Sequence, residues 1–177
     1  MIILEIGQSA GKEKMAATEA EMGWFAGLLE GEGCITFFKQ ARKRGGFDII
    51  TGAQITNTDI NIINKLVEIL EKCNLSWFLR NKKVYSKNHT ECFYIECRQQ
   101  EMLRKSLETF IPYMYGNKKS KANLVLGFLN KRKEGFEKSG KYNTRYSEDD
   151  FSMIPRGHMP NSHADEDMVQ TSTKLDE

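Results

Sequence analysis

Cysteine is sparse in this 177-residue chain, and the four present (Cys34, Cys73, Cys92 and Cys97) form no C-x-x-C pair. A zinc site is therefore not expected, and buried thiols in a reducing compartment are. Cys92 and Cys97 lie five apart in a stretch that reads as a strand, so they are expected to face opposite sides. No apolar run reaches the ~20 residues that a membrane helix needs, and no membrane partner is expected. The N-terminus carries Glu5 and Glu13 and lacks both an arginine-rich presequence and a secretory apolar stretch. The expected location is intracellular, a prokaryotic cytoplasm or an organelle interior, and not secreted.

What is present supports one folded unit. Apolar residues make up 40% of the chain, enough for a core, which excludes global disorder. The net charge of +2 hides an asymmetry: residues 1–140 hold 22 Lys+Arg against 16 Asp+Glu, and residues 141–177 hold 4 against 8. A basic body with an acidic tail suits a polyanionic partner, and ordinary surface charge accounts for the same imbalance. Composition divides the chain into an arm over residues 1–17, a domain over 18–138 and a polar acidic tail over 139–177, either extended or folded back on the body.

Local patterns place the elements. Thr18-Glu19-Ala20-Glu21 is a capping box that starts a helix running to about Glu30 and stopping at Gly31/Gly33. Cys34 to Arg44 alternates as a strand, Gly45-Gly46 signals a turn, and Phe47 to Thr56 forms a second strand. Asp59 caps an amphipathic helix with Ile62, Ile63, Leu66, Ile69 and Leu70 on one side. Ser76–Ser86 and Thr90–Arg98 read as another hairpin around Lys87-Asn88. Gln99 to about Phe110 is helical, with Met102, Leu103, Leu107 and Phe110 as its stripe, and Pro112 interrupts it. Asn117 to about Lys138 is a further helix, with Leu124, Leu126, Phe128 and Leu129 apolar. The order αββαββαα predicts an α+β fold, a four-stranded antiparallel sheet with helices on one face.

The other sheet face is then open. It carries Gln40, Arg42, Arg44, Asp48, Gln54, Arg80, Lys82, Tyr94, Glu96 and Arg98. A solvated polar face is one reading of this set. Its breadth across two hairpins favours the other, a β-ribbon surface for the major groove of DNA.

The most specific segment is Trp24-Phe25-Ala26-Gly27-Leu28-Leu29-Glu30-Gly31-Glu32-Gly33. Gly23, Gly27 and Gly31 recur every fourth residue, which lines them along one helix face where a second backbone can approach closely. One such helix exists per chain, so its economical partner is the same helix of a second copy, with Trp24 and Leu28 beside the glycines. A two-fold dimer of this kind brings two Glu32 carboxylates together. Close carboxylates need a cation between them, and oxygen ligands in a negative field suit Mg²⁺. A packed apolar helix with a glycine C-cap and two solvated glutamates is the alternative reading of the same residues.

Phe25 to Gly33 resembles the signature of the LAGLIDADG homing endonucleases and fills its nine positions. One copy per chain is similar to the homodimeric subgroup. Ala53-Gln54-Ile55-Thr56 resembles that family's strand-to-helix junction, and Lys118 to Leu126 resembles its lysine-bearing helix start. The resemblance implies a homing-endonuclease fold over roughly residues 18–135. It implies a Mg²⁺-dependent endonuclease that cuts both strands of a long pseudo-palindromic DNA site, encoded within an intron. Mn²⁺ is expected to substitute, and Ca²⁺ to support binding without efficient cleavage. By the same resemblance Glu32 is the metal-bridging acid, the Gly31 carbonyl a backbone metal ligand, Lys118 a lysine that polarises water near the scissile phosphate, Asn57 a water-orienting side chain and Glu30 a structural acid. Both acids are Glu where Asp is more usual, so the carboxylate reaches one methylene further. Two other functions fit the same fold: an RNA maturase, with intron RNA as partner, and a DNA-binding regulator that does not cut.

Overall fold

A computed structural model describes residues 16–82, 91–140 and 146–155. Residues 1–15 of the expected arm, the expected turn at Lys87-Asn88 and residues 156–177 of the tail lie outside the described residues. Helix α1 (Glu19–Gly31) begins at the capping box: Thr18 Oγ1 accepts from the Glu21 N–H at 3.2 Å, and Glu21 reaches back to the Thr18 N–H at 3.0 Å. Strands β1 (Gly33–Ala41) and β2 (Phe47–Asn57) follow. Their turn needs φ of +84° at Gly45 and +82° at Gly46, a region that side-chain-bearing residues avoid. Asp59 caps α2 (Ile60–Lys72) through its carboxylate on the Asn61 N–H at 2.8 Å. Then come β3 (Phe78–Lys82), β4 (Cys92–Cys97), α3 (Gln100–Phe110), a 3₁₀ turn (Ile111–Tyr113), α4 (Asn117–Ser139) and the short α5 (Glu148–Ser152).

The four strands form one antiparallel sheet in the order β1-β2-β4-β3. The second hairpin therefore docks through β4, with Ala53 opposite Cys97 and Asn57 opposite Phe93. Alternation sends Ile35, Phe37, Ile49, Ala53, Ile55, Ile95 and Cys97 to the helical side, where they are buried. Phe25 of α1 stacks on Phe110 with ring centroids 4.0 Å apart and meets Trp77 edge-on at 5.5 Å. Trp77 turns into the core, and its Nε1 donates to Ser106 Oγ at 3.0 Å. This is why β3 starts at Phe78 and not at Ser76 as expected. On α4 the buried residues are Ala122, Val125, Phe128 and Leu129, whereas Leu124 is exposed and Leu126 half-buried. The true stripe passes through a small residue, Ala122, that a search for large apolar side chains passes over.

Two polar clusters tie the helices. Glu21 on α1 pairs with Lys72 at 2.6 Å and Lys65 at 3.1 Å on α2. The Lys72 hydrogen bond, then the Thr18 N–H and Lys65, hold its carboxyl down at about 2. In the region expected as tail, Ser147 opens α5 with its own capping box, and α5 packs beside the β1–β2 turn. The Lys39 ammonium lies 3.7 Å from the Phe47 ring centre and 4.4 Å from that of Phe151, while Asp150 pairs with Lys131 at 3.1 Å. Among the described residues no helix is long and apolar enough to cross a membrane.

Candidate active site and nucleic-acid interface

The end of α1 is the best-braced corner of the molecule. A helix C-terminus leaves carbonyls without partners and a negative end of the dipole. Lys118, in the first turn of α4, answers both: its Nζ donates to the carbonyls of Glu30 at 2.5 Å, Gly33 at 2.6 Å and Leu29 at 3.4 Å. Glu30 does the converse for α4. Its carboxylate accepts from the N–H groups of Tyr115 at 3.0 Å and Gly116 at 2.5 Å, capping a helix whose own N-cap glycine has no side chain. Each helix end is thus capped by a charged side chain of the other. Gly33 closes the corner. A Cβ there would lie 2.5 Å from the Leu29 carbonyl oxygen and 2.9 Å from Leu29 Cα, so only glycine lets the chain turn from helix into strand at this spot.

Glu32 sits at the C-cap with its N–H on the Leu28 carbonyl at 2.9 Å, and it is exposed. Its Oε2 accepts from Asn57 Nδ2 at 2.6 Å, across 25 positions of sequence. Asn57 Oδ1 in turn accepts from the Asp59 N–H at 2.8 Å, which fixes the amide with its donor end towards Glu32. The pair lines a shallow groove of about 320 Å³ with Thr56, Thr58 and Cys92. Nothing in the sequence assigns Cys92 to this groove, because only the register of β4 on β2 brings it there; of the four thiols expected to be buried, Cys97 is buried, Cys73 and Cys92 are half-buried and Cys34 is exposed. A slightly larger open groove, about 350 Å³, lies between Cys73–Leu75 and α3, but its carboxylate, Glu108, is already paired with Arg104.

Lys118 does not point its protons towards the groove; three carbonyls take them. Among the described residues no hydrogen bond at this corner goes to the Gly31 carbonyl. Among the described residues no three Asp, Glu, His or Cys side chains converge on a metal position. Glu32 and the Gly31 carbonyl are oxygen donors of the class that Mg²⁺ takes, and a single protomer supplies one such carboxylate here.

Along α1, Gly23, Gly27 and Gly31 face open space: a Cβ on any of them meets nothing within 4 Å. Trp24, 40% exposed, and the half-buried Leu28 lie on the same helix. The opposite side carries Phe25, Ala26 and Leu29, all buried. A helix apolar all round has a second surface to cover, and nothing within this chain covers it among the described residues.

Of the expected polar set, Gln40, Asp48, Gln54, Arg80, Tyr94 and Glu96 lie in the strands, and Arg42, Arg44 and Arg98 lie beyond their ends. Gln40 is opposite Asp48, and Gln54 is opposite Glu96. Arg42 pairs with Asp48, which lowers the Asp48 carboxyl below its usual range and raises the Arg42 guanidinium. Arg44 is exposed in the turn, and Tyr94 is half-buried opposite Arg80. Lys82 ends β3, and its side chain lies outside the described residues. Glu96, expected to be open, is only 4% exposed, because Arg80 and Arg98 both fold onto it.

No family model and no curated protein sequence matches the chain. Solved structures do. The group I intron-encoded homing endonuclease I-CeuI complexed with DNA is similar at a TM-score of 0.56 and 15% identity, over 81% of this chain and 70% of that one. The homing endonuclease I-CvuI, bound to DNA in the presence of 2 mM Mg without cleavage, is similar at 0.50 and 18%, over 76% and 92%. The LAGLIDADG homing endonuclease I-SmaMI bound to cleaved DNA is similar at 0.52 and 16%, over 78% of this chain and 45% of that one. At such identities the likeness is one of architecture: the chain has the fold of the LAGLIDADG homing endonucleases.

Proposed function

We propose that the chain is a site-specific endonuclease of double-stranded DNA that works as a homodimer with a divalent cation, Mg²⁺ or in its place Mn²⁺. The observation that carries this reading is the corner of α1, where an exposed Glu32 carboxylate is held by Asn57 at 2.6 Å on the same helix as an open glycine strip. Two such strips meeting back to back bring two Glu32 side chains together. A divalent cation would offset their mutual repulsion, and the two Glu32 carboxylates would hold it. The Gly31 carbonyl offers a second oxygen of the right class. A cation bound there supplies Lewis-acid stabilisation of the departing 3′ oxygen and acidifies the attacking water.

The chain's own residues do the positioning. Asn57 holds Glu32 in one orientation, and Lys118 and Gly33 fix the backbone that carries it. Each hydrolysis adds water across one P–O3′ bond, leaving a 5′ phosphate and a 3′ hydroxyl. The two outer sheet faces of the dimer lie in the major groove, with Gln40, Arg42, Arg44, Gln54, Arg80 and Lys82 as base or phosphate contacts. Phosphate contacts make affinity fall with salt. The two-fold axis makes the site pseudo-palindromic. I-CeuI, I-CvuI and I-SmaMI, each solved with DNA, support this partner. The unit that does this spans residues 18–138, and the packed segment 146–155 belongs with it. The protein acts inside a cell or organelle, from a gene carried within an intron.

The test uses the full chain, Mg²⁺ and a plasmid bearing the uninterrupted host gene. Linear product is expected, and Glu32→Gln should abolish it while duplex retention in Ca²⁺ persists. A duplex shift with no cutting in Mg²⁺ or Mn²⁺ would mark a DNA-binding regulator. Retention of intron RNA without cutting would mark a maturase.

A further inference from the structure

Glu96 is an anomaly on the open sheet face. A carboxylate on a surface meant for phosphate repels its ligand, and a buried carboxylate needs charged partners. This one has two. Arg80 Nε lies 2.9 Å from Oε1, and Arg98 Nε lies 3.0 Å from Oε2. The arginines come from opposite directions. Arg98 stands two residues on from Glu96, just past the end of β4, and Arg80 lies on β3 opposite Tyr94, on the other side of Glu96. One arginine would neutralise the acid; two leave a positive unit with both carboxylate oxygens occupied.

The contact geometry matters more than the charge. Each guanidinium meets Glu96 through Nε, the atom nearest its own chain, which leaves the terminal Nη1/Nη2 fork for a second acceptor pair. No other acceptor engages either arginine among the described residues. The two side chains remain 58% and 73% exposed although their Nε atoms are pinned. A fork held in one orientation on a sheet that faces a major groove matches the O6/N7 edge of guanine. Through one carboxylate, the two Nε atoms lie no more than about 8 Å apart. That distance spans about two steps of a duplex that rises ~3.4 Å per base pair.

We infer that Glu96 is a positioning residue that fixes Arg80 and Arg98 as a paired reader of two guanines, no more than two base-pair steps apart, in each half-site. Glu96 itself contacts no base. This rests on the endonuclease reading above.

The experiment is selection of bound duplexes from a randomised pool in Ca²⁺, with the full chain and three variants. The unaltered protein should enrich two guanine positions within two steps of each other in each half-site. Glu96→Gln should weaken both preferences together, by about tenfold each, and leave other positions unchanged. Arg80→Lys and Arg98→Lys keep the charge that the buried Glu96 needs but lose the fork. Each should erase one guanine position and spare the other. Retention of duplex with both guanine preferences intact in Glu96→Gln, or a loss spread evenly over all sequences, would overturn the inference while leaving the endonuclease reading in place. Failure of the unaltered protein to retain any duplex would overturn both.

Discussion

Replacing Gly33 with alanine adds one methyl group at the tightest point of the corner. Its dihedral angles are not the obstacle; contact is. The new carbon would lie 2.5 Å from the Leu29 carbonyl oxygen, 2.7 Å from Leu29 Cδ1 and 2.9 Å from Leu29 Cα. The side-chain contact can be relieved by a rotamer change, but the two backbone contacts cannot. Relief means shifting either the last turn of α1 or the start of β1, and the Gly33 carbonyl and the last carbonyls of α1 are the acceptors for Lys118. Overpacking of this kind costs about 1–3 kcal/mol. The backbone contacts put Gly33→Ala at the upper end, about 2–3 kcal/mol, which for a chain of this size lowers the melting temperature by roughly 4–12 °C. The same shift displaces Glu32 from Asn57, and a displacement near 1 Å can reduce turnover by about 10²-fold. Thermal melting followed by circular dichroism checks the first number and plasmid linearisation the second. An alanine variant that melts within a degree of the unaltered protein and cuts at full rate would refute the account of this corner.

Gly27→Leu should act in the opposite place. Nothing lies within 4 Å of a Cβ there, so the protomer should keep its fold while the dimer dissociates, and an unchanged sedimentation profile would count against the glycine strip as the meeting surface. Glu21, with its carboxyl held down at about 2 from an ordinary 4.5, contributes stability that is complete above pH 4.5. Unfolding titrations should show the advantage of the unaltered protein over Glu21→Gln shrinking as pH falls below 4.5 and vanishing only below 2; an advantage undiminished at pH 2 would contradict the Lys72 and Lys65 pairing. Phe151→Ala removes one wall of the Lys39 site and half of an aromatic pair with Phe47 at 6.3 Å. It should cost about 1–2 kcal/mol and speed amide exchange in residues 146–155, and exchange that does not change would mean that α5 is held by Asp150 and Lys131 alone.

The resemblance of Phe25–Gly33 points to the corner at the end of α1, but much of that corner's geometry has no signal in the chain. The resemblance implies a structural role for Glu30 but not its partners, the N–H groups of Tyr115 and Gly116, 85 and 86 positions away. Lys118, to which the resemblance gives a role on water, donates its protons to backbone carbonyls in the structure. The face assignment of Glu96 followed from strand alternation and holds. Its burial did not follow, because Arg80 reaches it across a strand pairing that alternation cannot specify.

The sequence by itself determined what depends on neighbours a few residues apart: the Thr18 and Asp59 caps, the Gly45-Gly46 turn, the two faces of each strand and the open glycine strip of α1. These follow from backbone sterics and hydrogen bonds that close within one turn or one pleat. Only the tertiary structure decided that β4, and not β3, lies against β2, that Asn57 meets Glu32, that α1 and α4 cap one another and that two arginines share one carboxylate. Those contacts join residues whose separation along the chain carries no periodic signal, and they exist only once the apolar faces have packed and set the register.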